Sequence, residues 1–268
     1  MPFYTVKAGA LEYLKAENIA VPHGFTTRMG GVSKGCWESL NFSVSRGDSA
    51  QNVAENHRIL AAAMGYSLDN LVLANQIHTD IVWHVTEKDC LGSIFHRDYP
   101  ACDGLVTNTK GVALMVFTAD CTPILLHDPV TGAVGAVHAG WRGTAAGIVA
   151  KAVEKMAAAF GSCPENIHAA IGPNIGQCCF ETDGDVPEAM LSALGEDAMP
   201  YIHPEGEEKF KVDLKGLNTL WLRRSGVKTI EISDACTACA PDRFWSHRKT
   251  GGKRGSQVGV IVCRGERE

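Results

Sequence analysis

Residues 111–143 read GVALMVFTADCTPILLHDPVTGAVGAVHAGWRG. Residues 111–118 form an almost unbroken apolar run, which predicts a buried strand. Residues 124–127 predict a second strand and residues 133–138 a third, ending in His138. Residues 140–143 predict a turn. The alanine-rich run 144–160, closed by Gly161, predicts a helix. Strands and a long helix in one short stretch place the chain in the α/β class. The same stretch sets Cys121 and His138 at the ends of apolar runs.

Working outward, the first 50 residues read as strands and loops. They include a glycine-dense loop, PHGFTTRMGGVSKG at 22–35, with Arg28 at its centre. Residues 50–66 predict a helix, because Val53, Ile59, Leu60 and Ala63 recur at helical spacing, with Asp48 or Ser49 as its cap. Residues 71–74 and 81–85 predict short strands on either side of His78. Residues 167–171 predict a strand leading into the loop GPNIGQCC. Residues 187–194 and 213–225 predict helices; 230–232 and 258–262 predict strands. No strict βαβ repeat runs through the chain, which favours mixed sheets over a uniform doubly wound fold. No Pro/Ser/Gly-rich linker divides it, so residues 1–268 read as a single domain.

The net charge is −5 and the pI about 6.1, with 45% hydrophobic and 21% charged residues. That balance argues against nucleic-acid or anionic-membrane partners. No stretch approaches the roughly 18 apolar residues of a spanning helix. The opening MPFYTVKAGALEYL does not read as a secretory signal, so a cytoplasmic location is expected, with the ten cysteines mostly reduced. Cys178 and Cys179 are adjacent, and Cys236 and Cys239 form a CxxC. A second CxxC is missing, so these four read as packed or half-exposed thiols rather than a redox pair or half a zinc site.

Three segments carry the chemistry: Asn75-Gln76-Ile77-His78, Thr118-Ala119-Asp120-Cys121, and Val137-His138-Ala139-Gly140-Trp141-Arg142-Gly143. His78, Cys121 and His138 are suitable ligands for zinc or copper. Three protein ligands leave a position open, which suits a catalytic metal. The alternative is a thiol–imidazole pair, with Cys121 as nucleophile and His138 as base. Asp120 would raise the pKa of a free neighbouring thiol, and a bound cation would reverse that effect. Asp120 itself reads as an orienting group, a general base or a turn residue. Asn75 and Gln76 would orient the His78 ring or touch a ligand. Trp141 offers a stacking face and Arg142 an anion contact. Arg28, Arg46 and Arg248 lie in loops that suit phosphate or carboxylate binding. Asp103-Gly104 reads as a turn, with a polar role in the site as the lesser alternative. No Walker or Rossmann glycine pattern is present.

Together these motifs carry a resemblance. Its segments are TTRMGGVSKGCWESLNFS, VAENHRIL, NQIHTDIV, ACDGLVTN, TADCTPILLHDP, GAVHAGWRGTAAGI, AAIGPNIGQCCFE and SDACTACAPDRFWSHR. The chain resembles the YfiH/LACC1 family, also called the polyphenol oxidase or purine nucleoside phosphorylase family. The resemblance implies a mixed-sheet layered α/β sandwich of the cysteine-hydrolase-like, YfiH type. It implies a cytosolic enzyme with zinc on His78, Cys121 and His138, and Asp120 as a further catalytic candidate. Adenosine, inosine and methylthioadenosine would be cleaved by phosphate, and adenosine would also be deaminated. Arg28, Arg46, Asn75, Gln76, Arg142 and Arg248 are the candidates for substrate and phosphate. The expected partners are small-molecule nucleosides and phosphate, with neither nucleic acid nor membrane, on a monomer or homodimer. The chain departs from the expected pattern at GGKRGSQVGVIV, which gives no basis for a ligand role of Arg254, and at Thr79.

Three other readings stand beside this one. A copper-dependent phenol oxidase is the first, although the histidines are scattered and no HxH pair occurs. A metal-free Cys121/His138 hydrolase of cell-wall-type intermediates is the second. A non-enzymatic zinc domain that closes its site with Cys236 or Cys239 is the third.

Overall fold

The computed structural model describes residues 3–90 and 92–264. Leu91 and the two chain ends, which the single-domain expectation includes, lie outside the described residues. The chain opens with strands β1 (Phe3–Ala8), β2 (Leu11–Ala16) and β3 (His23–Thr26), then helix α1 (Ala50–Met64). Strands β4 (Leu71–Leu73) and β5 (Val82–His84) flank the His78 segment. Strands β6 (Gly104–Thr107), β7 (Ala113–Thr118), β8 (Thr122–His127) and β9 (Val134–Ala139) follow closely, then α2 (Trp141–Ala145) and α3 (Ile148–Phe160). The remaining elements are β10 (His168–Ile171), β11 (Glu181–Thr182), α4 (Asp185–Leu194), β12 (Ile202–Glu205), β13 (Lys209–Val212), α5 (Leu214–Arg224), β14 (Thr229–Ile232), α6 (His247–Thr250) and β15 (Gln257–Val262).

Two six-stranded mixed sheets lie face to face. One runs β1-β2-β3-β15-β7-β4 and the other β14-β10-β8-β9-β6-β5. Strand β7 shows why its sequence is apolar throughout. Leu114 and Val116 pack into the core between the sheets, against Leu105, Leu125 and Ala136. Ala113 and Met115 pack on the other face, against Leu60 and Met64 of α1. Alternate residues thus enter different cores, and neither face meets water. The second sheet repeats the pattern, with Ile124, Leu126 and Val137 packed against Val149, Val153 and Met156 of α3. The result is a four-layer α/β/β/α sandwich, the mixed-sheet layered class expected from the sequence. No described helix is long and apolar enough to cross a membrane.

Most elements fall where the sequence pattern sets them, with instructive differences. Ser49, not Asp48, caps α1 by accepting the Asn52 N–H. The expected helix over 144–160 is two helices, because Gly147 takes φ 70° and breaks the ladder. The expected turn 140–143 is the first turn of α2, with Gly140 as its N-cap. Asp103-Gly104 is not a turn but the entry to β6. A small third sheet, β11-β13-β12, has no counterpart in the sequence reading.

Candidate active site

Two of the three candidate ligands sit on connections that cross between the sheets. The chain leaves the first sheet at β4 and enters the second at β5, and His78 lies between them. It crosses again from β7 to β8 through Ala119-Asp120-Cys121. Antiparallel pairing of β8 with β9 places Pro123 opposite His138 and Thr122 opposite Ala139. That register brings His138 alongside Cys121.

Both crossings are strained. His78 has φ 62° and Asp120 φ 92°, the two described non-glycine residues at positive φ. Such conformations cost on the order of 1 kcal/mol or more each, so neighbouring groups must hold them. Asp103 holds the first. Its carboxylate accepts the N–H groups of Ile77 (3.1 Å), His78 (3.1 Å) and Thr79 (2.8 Å). The second is held through the Asp120 carboxylate, which accepts Thr237 Oγ1 (2.6 Å) and the Arg248 N–H (2.7 Å).

The ligand atoms of His78, Cys121 and His138 all lie within 4.8 Å of one another. Cys121 Sγ is 3.9 Å from His78 Nε2, and the two imidazoles meet edge to face at 4.9 Å. His138 Nδ1 lies 2.7 Å from Asp103 Oδ1. A carboxylate can only accept, so Nδ1 carries the hydrogen and Nε2 is the ligand atom. A Cβ at Gly140 would fall 3.1 Å from His78 Cδ2 and 3.3 Å from Cys121 Sγ, so a larger residue would press on two of the three converging side chains. Burial pushes the Cys121 thiol up, but His138 and His78 outweigh it and take it down to about 6. Burial pushes His138 down, but Cys121 and Asp103 outweigh it and raise it to about 9. One thiolate and two imidazoles, with the fourth side open to a cleft, fit a single metal ion.

The cleft has two lobes that meet at His78, Ala119, Cys121 and Arg254. One lobe, ≈ 220 Å³, is bordered by Gln76, Arg97, Thr118 and the hydroxyls of Ser43, Ser45 and Ser256. The buried Thr118 Oγ1 and Arg254 Nε have no hydrogen-bond partner. The other lobe, ≈ 290 Å³, has an apolar wall of Ile175 and Phe180 facing Arg46, Arg248, Arg254 and His247. Burial first, then the Arg254 and Arg46 charges, lower the His247 pKa. Buried polar atoms left unmatched beside crowded guanidiniums are what an anionic ligand would satisfy.

The other sequence candidates separate clearly. Arg46 and Arg248 line the second lobe, and the Arg248 guanidinium also donates to the Cys179 and Glu181 carbonyls and stands over the Phe180 ring at 5.6 Å. Gln76 lines the first lobe, but its amide is locked to the Phe117 backbone at 2.7 and 2.8 Å. Asn75 lines a further cavity that adjoins the first lobe at Ser43, Ser45 and Arg97. Arg28 donates to the carbonyls of Glu38 and Pro241 and stacks over Trp245 at 3.9 Å, so it braces a loop. Arg142 is exposed over the ring of Trp141 and lines neither lobe. Sequence reasoning missed Thr118, Phe180 and Arg254 as lining residues and gave Asp103 a site role only as the lesser alternative to a turn. Asp103 was visible only as part of ACDGLVTN. Thr79 uses its backbone N–H toward Asp103, so the departure at this side chain leaves that contact intact.

Residues 22–264 match the family model described as multi-copper polyphenol oxidoreductase laccase. The chain belongs to the YfiH/LACC1 family. Within that family it is 40% identical to a purine nucleoside phosphorylase of Deinococcus radiodurans, over 95% of this chain and 94% of that one. It is 37% identical to the purine nucleoside phosphorylase YlmD of Bacillus subtilis, over 91% and 89%. The crystal structure of YlmD from Geobacillus stearothermophilus superposes with a TM-score of 0.91 at 34% identity, covering 100% of this chain and 99% of that one. The fold is therefore that of the YfiH/YlmD structures.

Proposed function

We propose that this YfiH/LACC1-family chain is a zinc-dependent purine nucleoside phosphorylase acting on adenosine, inosine and methylthioadenosine, with adenosine deaminase activity. The observation that carries the reading is one juxtaposition. Arg46, Arg248 and Arg254 converge on a lobe that shares a wall with Cys121 and is faced by Phe180. Relatives named purine nucleoside phosphorylase support it. His78, Cys121 and His138 would hold the zinc, which would supply Lewis acidity to both reactions, at the purine C6 in deamination and to the departing base in phosphorolysis.

The remaining work falls to the chain's own side chains. Phe180 and Ile175 receive the face of the purine. The arginines bind phosphate and aim one oxygen at the sugar C1′. A C1′–O bond forms as the C1′–N bond breaks, the electron pair leaves with the purine, and the purine takes up the proton that the hydrogen phosphate gives up on becoming the sugar 1-phosphate. Asp120 lines the second lobe, and its two oxygens each accept one hydrogen bond, from Thr237 and from the Arg248 N–H, so proton transfer would have to use the remaining lone pairs. It also fixes the Cys121 turn and the Arg248 backbone. Asp103 holds His138 and the His78 loop in the same way.

A second reading has its own observation. Asp103, His138 and Cys121 line up as a carboxylate–imidazole–thiol series, which would serve a metal-free hydrolase. A copper oxidase has less support. Among the described residues the metal-capable groups are this site and a four-cysteine cluster, and neither contains the paired histidines of a multicopper centre. The test is incubation of adenosine, inosine and methylthioadenosine with and without phosphate, in metal-loaded and chelated protein. Base release that needs both phosphate and metal supports the proposal. Full activity in chelated protein selects the thiol reading, and oxygen uptake on a phenol by copper-loaded protein selects the oxidase.

A further inference from the structure

Four cysteines outside the nucleoside site converge. Cys178 and Cys179 end the loop after β10, and Cys236 and Cys239 lie on the loop after β14. Their four sulfurs all lie within 4.8 Å of one another. Cys239 Sγ is 3.5 Å from Cys178 Sγ and 3.4 Å from Cys179 Sγ, and those two are 3.8 Å apart. All four are free thiols. The separations are too long for a disulfide, whose sulfurs lie about 2.05 Å apart. They match a tetrahedral zinc site, where Zn–S bonds of about 2.3 Å put the sulfurs roughly 3.8 Å apart.

The surrounding backbone is built for this cluster. Residues 174 and 236 form a parallel bridge, and the Thr237 N–H donates to the Asn174 carbonyl at 2.9 Å, so the two loops are zipped together. The Gly176 N–H donates to Cys236 Sγ at 3.1 Å, the kind of bond that supports a metal-bound thiolate. A Cβ at Gly176 would meet Cys236 Cβ at 3.2 Å and Cys178 Sγ at 3.3 Å, so a larger residue would push the loops apart. Beneath the 233–236 segment, the buried Lys215 ammonium donates to the Ser233 and Ala235 carbonyls, at 2.5 and 2.8 Å. Its positive charge offsets part of the net −2 of a zinc tetrathiolate. Four thiolates and no open position describe a structural metal site, distinct from the three-ligand site at Cys121.

We propose that Cys178, Cys179, Cys236 and Cys239 bind a second, structural zinc ion that clamps the 172–180 loop to the 233–240 loop. The clamp stands next to the nucleoside cleft. Ile175 and Phe180 belong to one loop, while Thr237, which holds Asp120, belongs to the other. The metal therefore fixes two walls of the cleft without entering it, and its presence does not depend on what reaction the cleft performs.

Metal analysis of the full chain, purified under reducing conditions, tests this directly. Two zinc ions per chain are expected. Cys121→Ala should retain one, and Cys178→Ser/Cys239→Ser should also retain one. Cobalt-loaded Cys121→Ala should show the intense thiolate-to-cobalt charge-transfer absorption of a four-sulfur site. Should the double serine variant fail to fold, alkylation of wild-type protein decides instead. Cys178, Cys179, Cys236 and Cys239 should resist alkylation until a chelator is added, then all four should react. A single zinc in wild type with none in Cys121→Ala would overturn the proposal. So would cysteines that alkylate fully before chelation, a disulfide among the four in protein purified without reductant, or iron in place of zinc. None of these readouts requires nucleoside turnover, so failure here is separable from failure of the phosphorylase reading.

Discussion

Asp103 makes four contacts that define the site: three backbone N–H groups around His78 and the ring of His138. Replacing it with Asn keeps the shape but removes the charge and two of the accepting lone-pair sites. Asp103→Asn should lower metal affinity at the His78–Cys121–His138 site by about 10–100-fold, measured by chelator competition. It should also change the chelated protein. Without the Asp103 charge His138 falls from about 9, the ion pair weakens, and the Cys121 thiol rises from about 6. The pH profile of Cys121 alkylation should therefore move to higher pH. Arg254→Ala should raise the KM for phosphate by about 10–100-fold, the loss of a charge-assisted contact, with little effect on the KM for nucleoside. Initial rates with each substrate varied in turn check this. His78, Cys121 and His138 were legible because each ends an apolar run within a specific motif. Arg254 was not, because its segment departs from the familiar ending and only the fold turns it into the cleft. Asp103 was legible only as the lesser alternative because an Asp-Gly pair signals a turn, whereas here the aspartate serves a loop 25 residues upstream.

Helices α2 and α3 illustrate the limit at the scale of elements. The alanine-rich pattern runs on without interruption, and only Gly147 marks the break. Its φ of 70° and the Trp221 ring 3.3 Å from any added Cβ make glycine necessary there. Gly147→Ala should destabilise the fold by about 1–2 kcal/mol and lower the melting temperature by roughly 2–8 °C, read by thermal unfolding. The small β11-β13-β12 sheet escaped notice for the opposite reason: its strands are two to four residues long and mostly outside the core, so they show no periodicity. The link from β2 to β3 carries a pH dependence. His23 Nδ1 donates to the Val21 carbonyl at 2.8 Å while Nε2 accepts the Ala16 N–H at 3.0 Å, so the neutral ring is fully satisfied. Burial lowers its pKa to about 4. The unfolded chain takes up this proton near pH 6.5 and the folded chain only near pH 4. Stability is therefore complete above about pH 6.5 and falls as pH drops through that window, by about 3 kcal/mol at the limit. Urea midpoints at pH 7.5 and 4.5 should show the loss, and His23→Gln should shrink the difference between them.

Across the whole molecule, the sandwich core is made of side chains from every major strand and does not pass through His78, Cys121 or His138. The layered α/β class was legible because strands buried on both faces leave long apolar runs. The pairing of two sheets was not, because register and sheet order arise from contacts far apart in sequence. A core of this size predicts that His78, Cys121 or His138 can be replaced without unfolding, unlike the ligands of a zinc finger, where metal binding and folding are one event. Cys121→Ala removes the one anionic ligand of the three and leaves two neutral imidazoles on separate segments. It should unfold cooperatively close to the wild-type temperature. The most direct measurement is phosphate-dependent base release from inosine by this folded variant, beside wild type. The account predicts turnover in wild type and loss of at least about three orders of magnitude in Cys121→Ala, about 4 kcal/mol of transition-state stabilisation. Undiminished phosphorolysis by a folded, metal-depleted Cys121→Ala protein would contradict it.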